Sequence, residues 1–152
     1  MKAVIQRVIE AKVDVDGTTI GTIDKGIVLF LGIHRDDGEK ELEWLLNKSL
    51  SLRIFEDEQG KMNLSLQDIG GEMLIISQFT LYGDCRKGRR PGFSDAAPAQ
   101  IAKPLYERFV EKAKGTGIVV GTGIFGADMK ISLVNDGPVT MLLDTHHLQG
   151  DI

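Results

Sequence analysis

Apolar and polar residues alternate from the first positions of the chain. Ile5, Arg7, Ile9, Ala11, Val13 and Val15 recur at every second position and share one face of a predicted first strand. Arg7 therefore points the same way as five apolar residues. Asp16-Gly17 suits a two-residue hairpin turn and leads into a second strand at Thr18–Ile23. After the Asp24-Lys25-Gly26 turn, residues 27–33 carry the nearly unbroken apolar run of a buried strand. Over residues 39–50 the period lengthens, and Leu42, Leu45, Leu46 and Ser49 fall on one stripe of a helix. Residues 52–55, 62–66 and 73–81 predict three more strands. A second helix over 99–114 buries Ile101, Leu105, Tyr106, Phe109 and Val110, with Pro104 expected to kink it or delay its start. Segments 118–120, 130–134 and 139–143 supply the last strands.

Many short strands with two helices argue an α+β fold built on an antiparallel-rich sheet or barrel. No repeat, linker or low-complexity segment divides the chain, so residues 1–152 form one domain. At that length the chain buries roughly 68–70% of the surface its unfolded form exposes. A single cysteine, Cys85, excludes an internal disulfide. The N-terminus carries one Lys before a short alternating run, unlike a signal segment, and no window approaches the roughly 20 apolar residues needed to span a bilayer. A cytoplasmic protein with no membrane partner is expected.

Two segments break the apolar pattern in ways that point to chemistry. Ser77-Gln78-Phe79-Thr80-Leu81-Tyr82-Gly83 sets hydroxyl and amide groups at the end of an apolar strand, and Asn135-Asp136-Gly137-Pro138-Val139-Thr140 lies between two others. Pro138 cannot donate a ladder hydrogen bond and Gly137 reaches conformations closed to other residues, so the pair suits a fixed corner better than an ordinary hairpin. Such a corner can present carbonyl oxygens to a ligand. Strict alternation puts Gln78 and Thr80 on one face and Ser77, Phe79 and Leu81 on the other, so Ser77 and Thr80 line one site only where the strand twists or ends. Both are also ordinary strand residues. Arg7 is costly on an apolar face unless its guanidinium is hydrogen-bonded: it either holds backbone carbonyls with its five donors or snorkels to water.

Net charge is −4, the wrong sign for a protein coated in phosphate contacts. Arg86-Lys87-Gly88-Arg89-Arg90-Pro91-Gly92 nevertheless gathers four cations just after the Ser77–Thr80 stretch. This is either a solvated loop or a local phosphate contact beside a reactive centre. The histidines, His34, His146 and His147, carry no triad signature, and there is no G-x-S-x-G elbow. Without cysteine or carboxylate partners at recognised spacings, no metal is expected, and no cofactor either. Gly121-Thr122-Gly123-Ile124-Phe125-Gly126 spells G-x-G-x-x-G, but loop and strand follow where a dinucleotide site needs a helix. These glycines instead suit a tight loop in close approach to something.

In these segments the chain resembles the D-aminoacyl-tRNA deacylases, ester hydrolases that remove D-amino acids from mischarged tRNA. The likeness runs from Met1 to the last residues. It rests on Met1-Lys2-Ala3-Val4-Ile5-Gln6-Arg7-Val8, the stretch 72–83, Arg89-Arg90-Pro91-Gly92-Phe93, Phe125-Gly126-Ala127-Asp128-Met129 and Gly137-Pro138. The resemblance implies a compact barrel-like fold and a homodimer in which the Gly137-Pro138 corner, with a cis bond, enters the partner's pocket. It further implies that Ser77, Gln78, Phe79 and Thr80 form the catalytic stretch and that Phe125, Ala127 and Met129 line the pocket for the aminoacylated 3′ end of tRNA. Arg7 would brace the corner, and Arg86, Lys87, Arg89 and Arg90 would meet tRNA phosphates.

The ester in such a substrate is already activated. A site can therefore work by positioning water and stabilising the oxyanion with backbone N–H groups around Phe79-Thr80, assisted by a ribose hydroxyl, without a strong protein base. Thr80 is then a positioning or hydrogen-bonding residue rather than a covalent nucleophile. Carbonyls at the corner would accept the substrate's α-ammonium and leave no volume for an L side chain, which admits D-aminoacyl and glycyl esters. A non-catalytic module binding RNA ends, or a plain oligomeric scaffold, are the alternatives.

Overall fold

The computed structural model describes residues 1–149. Strands β2 (Thr18–Ile23) and β3 (Gly26–Gly32) both pair antiparallel with β1 (Lys2–Val15), β2 along residues 11–15 and β3 along residues 2–8, with Asp16 (φ 50°) and Gly17 (φ 77°) making the first turn. Helix α1 (Glu39–Ser51) crosses to a small ribbon of β4 (Phe55–Glu56) and β5 (Met62–Leu64). Strand β6 (Glu72–Ser77) then runs parallel to β3, and β7 (Val120–Thr122), after helix α2 (Ala99–Gly115), runs parallel to β6. The long β8 (Lys130–Asp144) lies antiparallel along the other edge of β1. The sheet is therefore mixed, its antiparallel pairings outnumbering the two parallel ones.

The sheet curls almost into a barrel, and glycine allows the closure: a Cβ on Gly21 of β2 would stand 2.5 Å from the Thr122 carbonyl oxygen of β7. One core fills the inside, from Val8, Ala11, Val13, Ile23, Val28, Leu74 and Ile76. The alternate residues of the same strands, Ile27, Leu29, Leu31, Met73 and Ile75, face outward and are covered by Leu42, Leu45 and Leu46 of α1 and Tyr106 and Phe109 of α2. Pro104 neither delays nor ends α2. It sits on the exposed side, where water can satisfy the carbonyl it leaves unpaired. The apolar stripe of α2 lies one step from expectation: Ala102 and Ala113 are buried, whereas Ile101 is 42% exposed.

The first strand does not keep one face. Between Val8 and Ala11 it advances three residues while β8 advances two, Asn135 to Leu133. Val8 faces the barrel before the bulge, and the bulge brings Ala11 and Val13 to the same side while leaving Ile9 exposed. The predicted strand 73–81 also ends early, at Ser77, and a 3-10 turn over Phe79–Tyr82 replaces its last residues.

The ends of β1 and β8 are tied together by a buried charge. The α-ammonium of Met1 donates to Asp37 Oδ1 (2.8 Å) and to Thr145 Oγ1 (2.6 Å), and Asp37 Oδ2 also accepts the His34 N–H (2.7 Å). Both charged groups are fully excluded from water. Removing one member of a buried ion pair strands the other, so Asp37→Ala is expected to lower the unfolding free energy by about 3–5 kcal/mol. Denaturant titration checks this, and a loss below about 1 kcal/mol would show that water reaches the pair.

Candidate active site

A cleft of about 510 Å³ opens where β6 stops. The last ladder bond runs from the Gln78 N–H to the Leu31 carbonyl (2.8 Å), after which the backbone tightens into the turn at Phe79–Tyr82. Opposite this turn lies Gly32. A Cβ there would meet Leu81 Cβ at 3.0 Å and the Gln78 carbonyl at 3.2 Å, so the glycine makes room for the turn to fold back on β3. Ser77, Gln78 and Phe79 form one wall of the cleft, and Phe125, Ala127 and Met129 form the other. A Cβ on Gly123 would run into Met129 Sδ, so glycine again permits the close approach that seats this second wall.

The cleft's chemistry resides largely in the backbone. Bonding inside the 3-10 turn begins at the Leu81 N–H, which reaches the Gln78 carbonyl (3.3 Å). The N–H groups of Phe79 and Thr80, at the start of the turn, have no partner within it, as at any helical N-terminus. Thr80 lies just outside the lining, and its hydroxyl accepts the Gln78 Nε2 hydrogen at 2.5 Å, so its own proton stays available. Ser77 is the last residue of β6 and Thr80 lies in the turn that follows, so the two do not stand on opposite faces of one strand. Among the described residues of the lining, Asp128 carries the one carboxylate, paired with Lys130 (2.9 Å), and no histidine is present. His34 instead packs against Tyr82 with the rings tilted by 60°, 5.4 Å between ring centres.

The Gly137-Pro138 corner stands elsewhere, exposed, and none of its residues lines the cleft of the same chain. From Gln6 to Val8 strand β1 advances two residues while β8 advances five, Thr140 to Asn135, so the corner is an excursion of β8 opposite Arg7. Arg7 is buried and donates from Nε to the Asp136 carbonyl (3.1 Å) and from Nη1 to the Ile54 carbonyl (2.8 Å). Asn135 closes the frame: its Nδ2 donates to the carbonyls of Arg7 and Val139, both at 3.0 Å. Gly137 has φ 127° and the bond to Pro138 is cis. A Cβ at Gly137 would stand 3.0 Å from Arg7 Nη2. Arg7 therefore grips backbone at the corner and does not snorkel.

The cationic segment forms a small hairpin closed by Asp84 N–H to the Gly92 carbonyl (2.7 Å) and the reciprocal bond (2.9 Å). Arg86 is not a free cation. Its Nε and Nη2 grip both oxygens of Asp84 at 2.9 and 2.8 Å, which with the Arg86 backbone N–H holds that carboxyl at about 2. Among the described residues, Lys87, Arg89 and Arg90 enter no ion pair. Sequence reasoning missed Asn135 as a brace and also Ala97, Ala99 and Ala102, whose small side chains leave the cleft its width. The run Ala96-Ala97-Pro98-Ala99 was the visible signal.

This fold recurs among solved structures. The c-Myc DNA Unwinding Element Binding Protein superposes with a TM-score of 0.90 at 44% identity over 95% of this chain and 98% of that one. A probable eukaryotic D-amino acid tRNA deacylase shares the fold alone, at TM-score 0.79 and 18% identity over 93% of this chain and 97% of that one. In sequence, the D-aminoacyl-tRNA deacylases of Clostridioides difficile (strain 630) and Thermosipho africanus (strain TCF52B) are 61% and 60% identical over 145 residues, 95% of this chain and 97% of each relative. Residues 4–144 match the family described as D-Tyr-tRNA(Tyr) deacylase, and the chain belongs to that family of hydrolases.

The Asp84–Arg86 grip makes a pH prediction. A carboxyl depressed in the folded state contributes above its unfolded pKa and loses that contribution as pH falls through about 2. In Arg86→Ala, which keeps the backbone N–H but loses the guanidinium, the Asp84 resonance is expected to titrate at higher pH than in the parent, followed by carbon-detected NMR. An unmoved titration would show that the pair is absent in solution.

Proposed function

We propose that this protein hydrolyses the ester joining a D-amino acid to the terminal adenosine of tRNA, as one cytoplasmic deacylase domain over residues 1–152. The observation that carries this reading is the cleft between the Ser77–Phe79 stretch at the end of β6 and the 125–129 loop, in a chain about 60% identical to named deacylases. The cleft offers N–H donors at the start of a turn and a Ser77 hydroxyl, with the Thr80 hydroxyl held by Gln78 at its edge, all suited to a developing oxyanion and an attacking water. Among its described residues there is no nucleophile–base pair, which an activated ester does not require.

The aminoacyl group enters between Phe125, Ala127 and Met129 on this reading, and selection among enantiomers falls to backbone. The exposed corner, braced by Arg7 and Asn135, belongs to the cleft of a second copy, so the working unit is a homodimer with each Gly137-Pro138 seated in its partner's site. There its carbonyls accept the substrate's α-ammonium and its bulk occupies the volume an L side chain would need. Glycine has no side chain to exclude. Lys87, Arg89 and Arg90 face the phosphates of the acceptor end, where they add affinity without reading the amino acid.

Matched aminoacyl-tRNAs test the proposal. D-tyrosyl-tRNA and glycyl-tRNA are expected to be deacylated and L-tyrosyl- and L-alanyl-tRNA to be spared. Equal rates on the D- and L-tyrosyl forms would defeat the selection scheme, and salt-sensitive binding without turnover would leave an RNA-end binding module.

A further inference from the structure

The rim of the cleft carries two exposed aromatic rings that the proposed chemistry does not use together. Phe79 and Phe93 are 55% and 39% exposed, and their rings meet edge to face with centres 5.1 Å apart. Scattered exposed apolar residues are normal on a soluble surface, but this pair is held in place. Phe79 belongs to the turn that walls the cleft, and Phe93 follows directly on the closed base of the cationic hairpin. Gly83 lies beneath them. A Cβ there would stand 3.0 Å from the Thr80 carbonyl and 3.3 Å from Phe93 Cε1, so glycine lets the ring settle against the turn. On the hairpin itself, Lys87, Arg89 and Arg90 have no carboxylate partner among the described residues, while Arg86 is taken up by Asp84.

A flat ring on the rim beside unpaired cations is the combination that holds single-stranded nucleic acid: bases stack on aromatic faces while phosphates follow the charge. A tRNA whose esterified ribose sits in the cleft and whose phosphates meet the cationic hairpin carries its preceding nucleotides across this rim. Resting on the function proposed above, we infer that Phe93 is a stacking residue for the unpaired bases that precede the esterified adenosine, and that it positions the substrate without touching the reacting ester. Because stacking is sequence-tolerant, this contact serves every tRNA alike, whatever amino acid it carries.

Phe93→Ala is therefore expected to raise KM for D-tyrosyl-tRNA roughly tenfold, the range of one lost base stack, and to leave kcat within about twofold. On the D-tyrosyl ester of adenosine alone, which has no preceding nucleotides, the same variant is expected to match the parent enzyme. Phe93→Trp is expected to restore KM on tRNA, and its indole emission to be quenched by a short single-stranded RNA. That RNA-binding arm needs no turnover, so it distinguishes a wrong stacking assignment from a wrong function. The salt slope of binding is expected to persist in Phe93→Ala and to fall in the Arg89→Ala/Arg90→Ala double variant. Equal losses on tRNA and on the adenosine ester would mark the ring as structural. No loss on tRNA, an unquenched indole, or a shift to monomer on sedimentation would each overturn the inference.

Discussion

A guanidinium buried between two backbone carbonyls decides the shape of the working surface. Arg7 holds the Ile54 carbonyl on the helix side of the sheet and the Asp136 carbonyl in β8. Buried without those acceptors it would be costly, so the chain must keep both within reach. β8 pairs with β1 on either side of this point, and between them four residues are pushed out of the ladder as the Gly137-Pro138 corner. Asn135 closes the opening by bonding to the carbonyls of Arg7 and Val139. An exposed loop is thereby tied to the strands on both sides of it, which the selection by shape proposed above would require.

The cleft follows a complementary logic. Its walls are a strand end and a loop, drawn together by glycines at 32 and 123 and kept open by the small residues Ala97, Ala99 and Ala102. Titratable groups are nearly absent from it, and the polar atoms are those of a tight turn. Such a site cannot activate a poor electrophile, yet it suits a reactive ester that needs orientation and charge stabilisation. Corner and cleft lie apart within one chain, which is why the proposed homodimer brings them together through a second copy.

Much of this was legible in the residues, and the gaps have physical causes. The corner was visible because Pro138 and Gly137 are poor ladder residues and because Arg7 sits on an apolar face. The switch of faces in β1 was hidden, since Ile9 is as apolar as Val8 and only pairing with β8 reveals the bulge. The early end of β6 was hidden too: Phe79, Leu81 and Tyr82 continue a strand-like pattern, and the room for the turn that replaces it comes from Gly32, far away in sequence. Ile101 misled because apolar character was weighed above size, whereas the tight seam of α2 takes Ala102. Arg86 counted as a free cation until Asp84, two residues away, was seen to hold it.

Complementation in a mixed dimer tests the central claim, that each cleft is completed by the other chain's corner. Gly137→Val disables the corner, because φ 127° and the nearby Arg7 Nη2 leave no place for a side chain, and Ala127→Trp fills the cleft. Each variant alone is expected to be inactive on D-tyrosyl-tRNA. A purified heterodimer of the two has one intact cleft facing one intact corner, and it is expected to recover roughly half of the parent activity. A heterodimer as inactive as either variant would contradict the account, because it would mean that cleft and corner act within one chain.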